Sequence, residues 1–183
     1  MKILGIVTLT MTVLAASPAD ARLGETLKEL EARFGKGRNV TAGNTGIKPP
    51  IKANWHFEKN GIRISANFIG EKCGYIYYQP LQGSSAPRKF PPEYIAELLK
   101  VNVSGSRWIS DDEPRNVFER LGKRTATPKA SWYRADGKAY AIFSSTGNQV
   151  TLVSEDYIQT ILNYNTEAAA AADKKNQKRL EGF

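Results

Sequence analysis

The chain reads as an α+β protein in which antiparallel β-meanders pack against helices. Two kinds of observation predict this. Short runs with period-two alternation flank the turn signals Asn60-Gly61 and Asp136-Gly137, which suit hairpins. Apolar residues at helical spacing, with capping residues before them, open each half.

Residues 1–21 come first and carry an address. Lys2 supplies a positive start, Ile3 to Ala16 is an uncharged apolar run, and Ala19-Asp20-Ala21 places small residues at −3 and −1 of a cleavage point before Arg22. That is the layout of a secretory signal peptide, and the run is shorter than the roughly 20 residues a membrane span needs. The mature chain is therefore expected in a periplasm or outside the cell, without a membrane span. Lys2 and Asp20 leave together, so the net charge stays at +8. A basic exported protein can adhere to anionic lipid, wall polymer or nucleic acid, but here the basic residues are dispersed, which favours a solvated face with a basic bias.

Residues 22–82 are expected to form one helix and a three-stranded meander. Thr26-Leu27-Lys28-Glu29 fits a capping box, Leu27, Leu30 and Phe34 share a helix face, and Gly35 is placed to end the helix. A Gly- and Lys-containing loop follows from Lys36 to Lys52. Strands are expected at Trp55 to Glu58, Ile62 to Ile69 and Cys73 to Gln79, with Ile62, Ile64, Ala66 and Phe68 on the face that covers the helix. Gly83-Ser84-Ser85 and Pro87 mark a linker over 83–91.

Residues 92–165 repeat the theme. A helix is expected from Pro92 to Asn102 with Ile95, Leu98 and Leu99 inward, and Ser110 to Glu113 reads as a second capping box leading into a short helix closed by Gly122. Trp132 to Arg134 and Lys138 to Phe143 make a hairpin, and Gln149 to Val153 a further strand. Ser154 can cap a last helix whose first turn carries Glu155 and Asp156. The tail over 166–183 is Ala-rich and then charged, expected as a fraying helix or as disordered chain. Phe34-Gly35-Lys36 and Leu121-Gly122-Lys123 echo each other, and each precedes a Trp-led hairpin. A tandem repeat of one helix-plus-meander unit and two independent hairpins with similar turns both account for this.

Leu23-Gly24-Glu25-Thr26 with Arg33-Phe34-Gly35, and Trp132-Tyr133-Arg134-Ala135-Asp136-Gly137-Lys138-Ala139 running on to Glu155-Asp156-Tyr157, resemble an uncharacterised family of short exported bacterial proteins. More loosely, helix followed by antiparallel meander is similar to BamE-like and beta-lactamase-inhibitor-like domains. That resemblance implies work by binding protein partners. The chain departs from the first of these in lacking a lipobox cysteine.

Candidate chemistry is sparse. Cys73 and His56 are the only residues of their kinds. Cys73 has no intramolecular disulfide partner, which leaves a buried small hydrophobe or an intermolecular link, burial being favoured. A Cys73–His56 pair would be the sharpest catalytic idea, but in a simple meander their strands flank a third and lie about 9.6 Å apart. His56 is read instead as a polar residue on the face opposite Trp55 and Phe57. One His and one Cys cannot build a zinc site, and Asp111-Asp112-Glu113 reads as capping rather than as a calcium loop. No serine elbow or phosphate-binding glycine loop occurs, so no catalytic residue, metal or cofactor is assigned.

The remaining candidate is a surface. Tyr75, Tyr77 and Tyr78 lie in one strand and must straddle both of its faces, with Tyr75 and Tyr77 together. Exposed tyrosines beside basic residues suit contacts to a protein, sugar or nucleic acid. The leading expectation is a non-catalytic interaction module of the bacterial cell envelope, contacting an envelope protein or an anionic cell-surface polymer. The alternatives are an envelope hydrolase acting on a polymer, which would gather His56 with carboxylates in a deep pocket, and a nucleic-acid or anionic-polymer binder.

Overall fold

The computed structural model describes residues 22–41, 49–81, 89–111, 130–144 and 148–180. Among these residues, eight antiparallel strands form one open sheet, joined by three helices. Helix α1 (Leu27–Phe34) precedes β1 (Arg38–Asn39), β2 (Ala53–Lys59), β3 (Ile62–Ile69) and β4 (Lys72–Pro80). Helix α2 (Pro92–Val101) precedes β5 (Trp108–Asp111), β6 (Ala130–Arg134), β7 (Ala139–Ser144) and β8 (Gln149–Ser154), and α3 (Glu155–Leu180) follows. Most of the expected linker over 83–91 (residues 83–88), the short helix up to Gly122 and the leader at 1–21 lie outside the described residues.

The strand order is β1-β2-β3-β4-β8-β7-β6-β5, so each half is a meander running from an outer edge to the centre. The halves meet where β4 pairs with β8. Register makes the correspondence concrete. One row across the sheet reads Trp55–Ala66–Ile76–Leu152–Ala141–Trp132, with the midpoint between Ile76 and Leu152. The two edge strands, β1 and β5, are absent from the sequence expectation. Ser110 is a correction: it lies in β5, paired opposite Trp132, and not at the cap of a helix.

Local chemistry explains the elements. Thr26 and Glu29 form the capping box of α1, with the Thr26 N–H donating to Glu29 Oε2 at 2.8 Å. Asn60 and Gly61 both take positive φ, 51° and 74°, as the tight β2–β3 hairpin requires. Lys59 Nζ donates to the Arg33 carbonyl at 2.7 Å, placing a cation at the carboxyl end of α1. Ser154 Oγ accepts from the Tyr157 N–H at 3.2 Å and caps α3.

Both α1 and α2 lie on one face of the sheet. Leu30, Phe34, Ile95, Leu98 and Leu99 join Phe57, Ile64, Ala66, Phe68, Ile76, Tyr78, Val150 and Leu152 in a continuous buried core. The alternation of Ile62, Ile64, Ala66 and Phe68 onto this face is as expected. Asn102, at the end of α2 and buried, ties the halves together. Its Oδ1 accepts from the Leu23 N–H at 2.9 Å, and its carbonyl accepts from Arg134 Nη1 at 3.2 Å.

Helix α3 takes the opposite face. Tyr157, Ile158, Ile161 and Leu162 pack on Ile142, Val153, Tyr75 and Tyr140. A bulge sets the approach: Asn67 pairs with Tyr75 but Phe68 with Cys73, leaving Gly74 extra. A Cβ on Gly74 would sit 2.7 Å from Tyr157 Cβ, so the close seat of α3 depends on glycine there. From 163 to 178 every residue of α3 is exposed, and the Ala-rich segment, composed of the strongest helix formers, runs on as helix to Leu180.

Candidate functional site

The polar side of the sheet is the counterpart of the core row. Here the cross-strand neighbours are Arg38, His56, Ser65, Tyr77, Thr151 and Ile142. Each strand places these residues opposite the core by simple alternation. The start of α3 covers the Ile142 end of the row, whereas Arg38 is exposed and His56, Ser65 and Tyr77 are half-buried.

The three strand-β4 tyrosines separate. Tyr78 points into the core with no exposure. Tyr75 lies beneath α3, its ring 5.7 Å from that of Tyr157, and burial pushes its phenol up to about 12 despite a hydrogen bond to Thr151. Only Tyr77 reaches the part of the polar face beyond α3. Its hydroxyl donates to Gln149 Oε1 at 2.8 Å, which fixes the ring across β4 and β8. The surface expected from three tyrosines therefore narrows to Tyr77 and its row.

His56 anchors the other end. Arg38 pairs directly across from it, and Arg63 stands one step along β3 from Ser65, on the same face. Desolvation, with Arg63 and Arg38 nearby, holds the imidazole below its ordinary value of 6.5, against the opposing pull of Glu58. His56 Nδ1 and Arg63 Nε are buried atoms without a hydrogen-bond partner. Arg63 reaches Glu58 through Nη2, at 3.3 Å. Two buried nitrogens without partners, two guanidinium groups and a tyrosine thus occupy one patch. Such an arrangement can receive carboxylate or other anionic groups from outside.

Cys73 is on the other side of the sheet, in the core, and is fully buried. Burial raises its thiol to about 12, so it is protonated and unreactive at neutral pH. His56 and Cys73 thus lie on opposite faces, a more complete separation than the strand spacing alone implies. Among the described residues, one cavity of about 500 Å³ lies beside Arg22, Glu97 and Asn102, and another of about 400 Å³ beside Gly74, Arg134 and Tyr157. His56 lines neither. Among the described residues no three His, Cys, Asp or Glu side chains converge as metal ligands, and no helix is long and apolar enough to cross a membrane.

Sequence reasoning missed Arg38 and Arg63 as members of the patch. Arg63 was legible, because it alternates with Ile62 and Ile64. Arg38 was not, since nothing marked a two-residue edge strand inside a loop. No protein-family model, curated protein or solved structure matches the chain.

Proposed function

We propose that the chain is an exported, non-catalytic interaction module of the bacterial cell envelope, cleaved after Ala21, whose contact surface is the polar sheet face around Tyr77, His56, Arg38 and Arg63. The observation that carries this is the contrast between faces. One is fully committed to the core, while the other holds a fixed tyrosine and unpartnered basic nitrogens at a place the helices leave uncovered among the described residues. Buried polar nitrogens without partners cost stability, so their retention is accounted for when a ligand supplies the partner. The resemblance to beta-lactamase-inhibitor-like and BamE-like domains supports a protein partner, and the patch favours an acidic one.

The test is in-cell crosslinking of the tagged protein in its native envelope, followed by mass spectrometry. A reproducible partner in near-stoichiometric amount is expected, and Tyr77→Ser combined with Arg63→Gln should reduce its capture at least tenfold without loss of fold. Unchanged capture by that variant overturns the assignment of the surface. Recovery of polysaccharide or nucleic acid in place of protein moves the same patch to an anionic-polymer reading.

A further inference from the structure

The first described residues are held by an unusually complete set of bonds. The Arg22 N–H donates to Glu25 Oε2 at 3.0 Å, Leu23 N–H to Asn102 Oδ1 at 2.9 Å, and Gly24 N–H to the Cys73 carbonyl at 2.7 Å. Cys73 N–H returns a bond to the Glu25 carbonyl at 2.9 Å. The segment is thus sewn to the end of α2 and to the start of β4 from Arg22 onward.

Glu25 is the centre of this arrangement. It is one of the few buried charged residues, only 9% exposed. Its Oε1 pairs with Arg33 Nη2 at the last turn of α1. Its Oε2 faces the backbone nitrogen of Arg22. A buried carboxylate gains most from a charged donor, yet within the uncut chain that nitrogen is a neutral amide. Cleavage after Ala21 changes the donor: the same nitrogen becomes the chain's α-ammonium.

We propose that Glu25 is the receiving site for the amino terminus created by leader removal. In this step water adds across the Ala21–Arg22 peptide bond. The leader departs with the Ala21 carboxylate, and Arg22 keeps the nitrogen, which takes up a proton to become an ammonium. Glu25 then bridges two cations, the Arg33 guanidinium and the Arg22 α-ammonium. The inference rests on the export reading above and gives it a structural consequence: processing converts a neutral contact into an ion pair that locks the new end onto the fold. The charged groups around this nitrogen are Glu25, which accepts from it, Arg33 of α1, paired with Glu25, and the Arg22 side chain, which shares a cavity with Glu97 and Lys100 of α2.

The experiment uses mature protein recovered from the envelope of cells exporting the full chain. N-terminal sequencing is expected to begin at Arg22. A pH titration of the α-amino nitrogen by NMR is expected to give a pKa at least one unit above the roughly 8 of a free chain end. Glu25→Gln should return it toward 8. Because that change also strips Arg33 of its partner, a second variant carries a single extra glycine ahead of Arg22. It keeps Glu25 and Arg33 but moves the ammonium one residue away, about 3.8 Å. Its amine should titrate near 8 and its urea midpoint should fall below that of the wild type. A mature chain that starts elsewhere overturns both the cleavage reading and this site. A chain that starts at Arg22 with an amine titrating near 8 overturns the site and leaves the cleavage reading standing.

Discussion

The two faces of the sheet were built by different rules. On the helix side the row across six strands reads alike from both ends but for Ile and Leu at its centre: Trp, Ala, Ile, Leu, Ala, Trp. On the other side five of those strands, from β2 to β7, read His, Ser, Tyr, Thr, Ile, with an arginine on β1 beyond the histidine. Core packing poses the same problem to each half: a large indole at the flank, a small residue beside it and a branched aliphatic at the centre. Nothing forces agreement on the polar face, where α3 covers one region and leaves another. The symmetric face reports stability, and the asymmetric face is where function can diverge.

The shared core is most sensitive where the two meanders meet. Leu152→Ala removes a fully buried side chain where the two meanders join. It should cost about 3 kcal/mol in urea denaturation, in the range typical of such truncations. A loss under about 1 kcal/mol would mean that the β4–β8 seam is not a shared core.

Gly74→Ala tests how α3 is seated on the polar side. The added methyl meets Tyr157 at 2.7 Å and must lift the helix, at about 2 kcal/mol. Proteolysis should then cut α3 faster, while the helix-side core persists.

Alkaline stability separates the faces by titration. Cys73 in the core and Tyr75 and Tyr157 under α3 all hold their protons more tightly when folded than when unfolded, because burial disfavours the charged forms. Raised folded values mean that stability is complete below the unfolded values. It declines as pH rises past about 9, by about 1.4 kcal/mol per unit for each lagging group. Cys73→Ala should delay the onset to the tyrosine range near pH 10. An onset unchanged by that substitution would deny that the thiol is buried.

Tyr77→Phe removes the bond to Gln149 and should cost about 1 kcal/mol, with no change to the core. The smallest effect belongs to His56. Its folded value lies below 6.5, so the unfolded chain takes up the proton first and stability falls as pH drops below about 6.5. His56→Gln should abolish that slope, and Arg63→Gln should reduce it by relieving one repulsive neighbour. Replacing Tyr75, in contrast, tests α3 packing more than binding, since its ring lies against Tyr157.

Features that depend on near neighbours are legible in the amino-acid sequence. The capping box at Thr26 and Glu29, the Asn60-Gly61 hairpin, the bounds of Ile62–Ile69 and the Ser154 cap all follow from chemistry within a few residues. The separation of Tyr78 from Tyr75 and Tyr77 follows from alternation alone. Tertiary structure decided the rest. Pairing of β4 with β8 joins strands 72 or more residues apart at their hydrogen-bonded contact between Tyr77 and Gln149, and no local signal specifies which strand fills a free edge. The brief β1 and β5 exist only because a longer strand offers them a ladder. Whether Tyr75 or Tyr77 stays accessible depends on where α3 crosses the sheet, and that path is set by the glycine bulge in β4 meeting Tyr157. Periodicity says which face a residue takes; only packing says what comes to cover it.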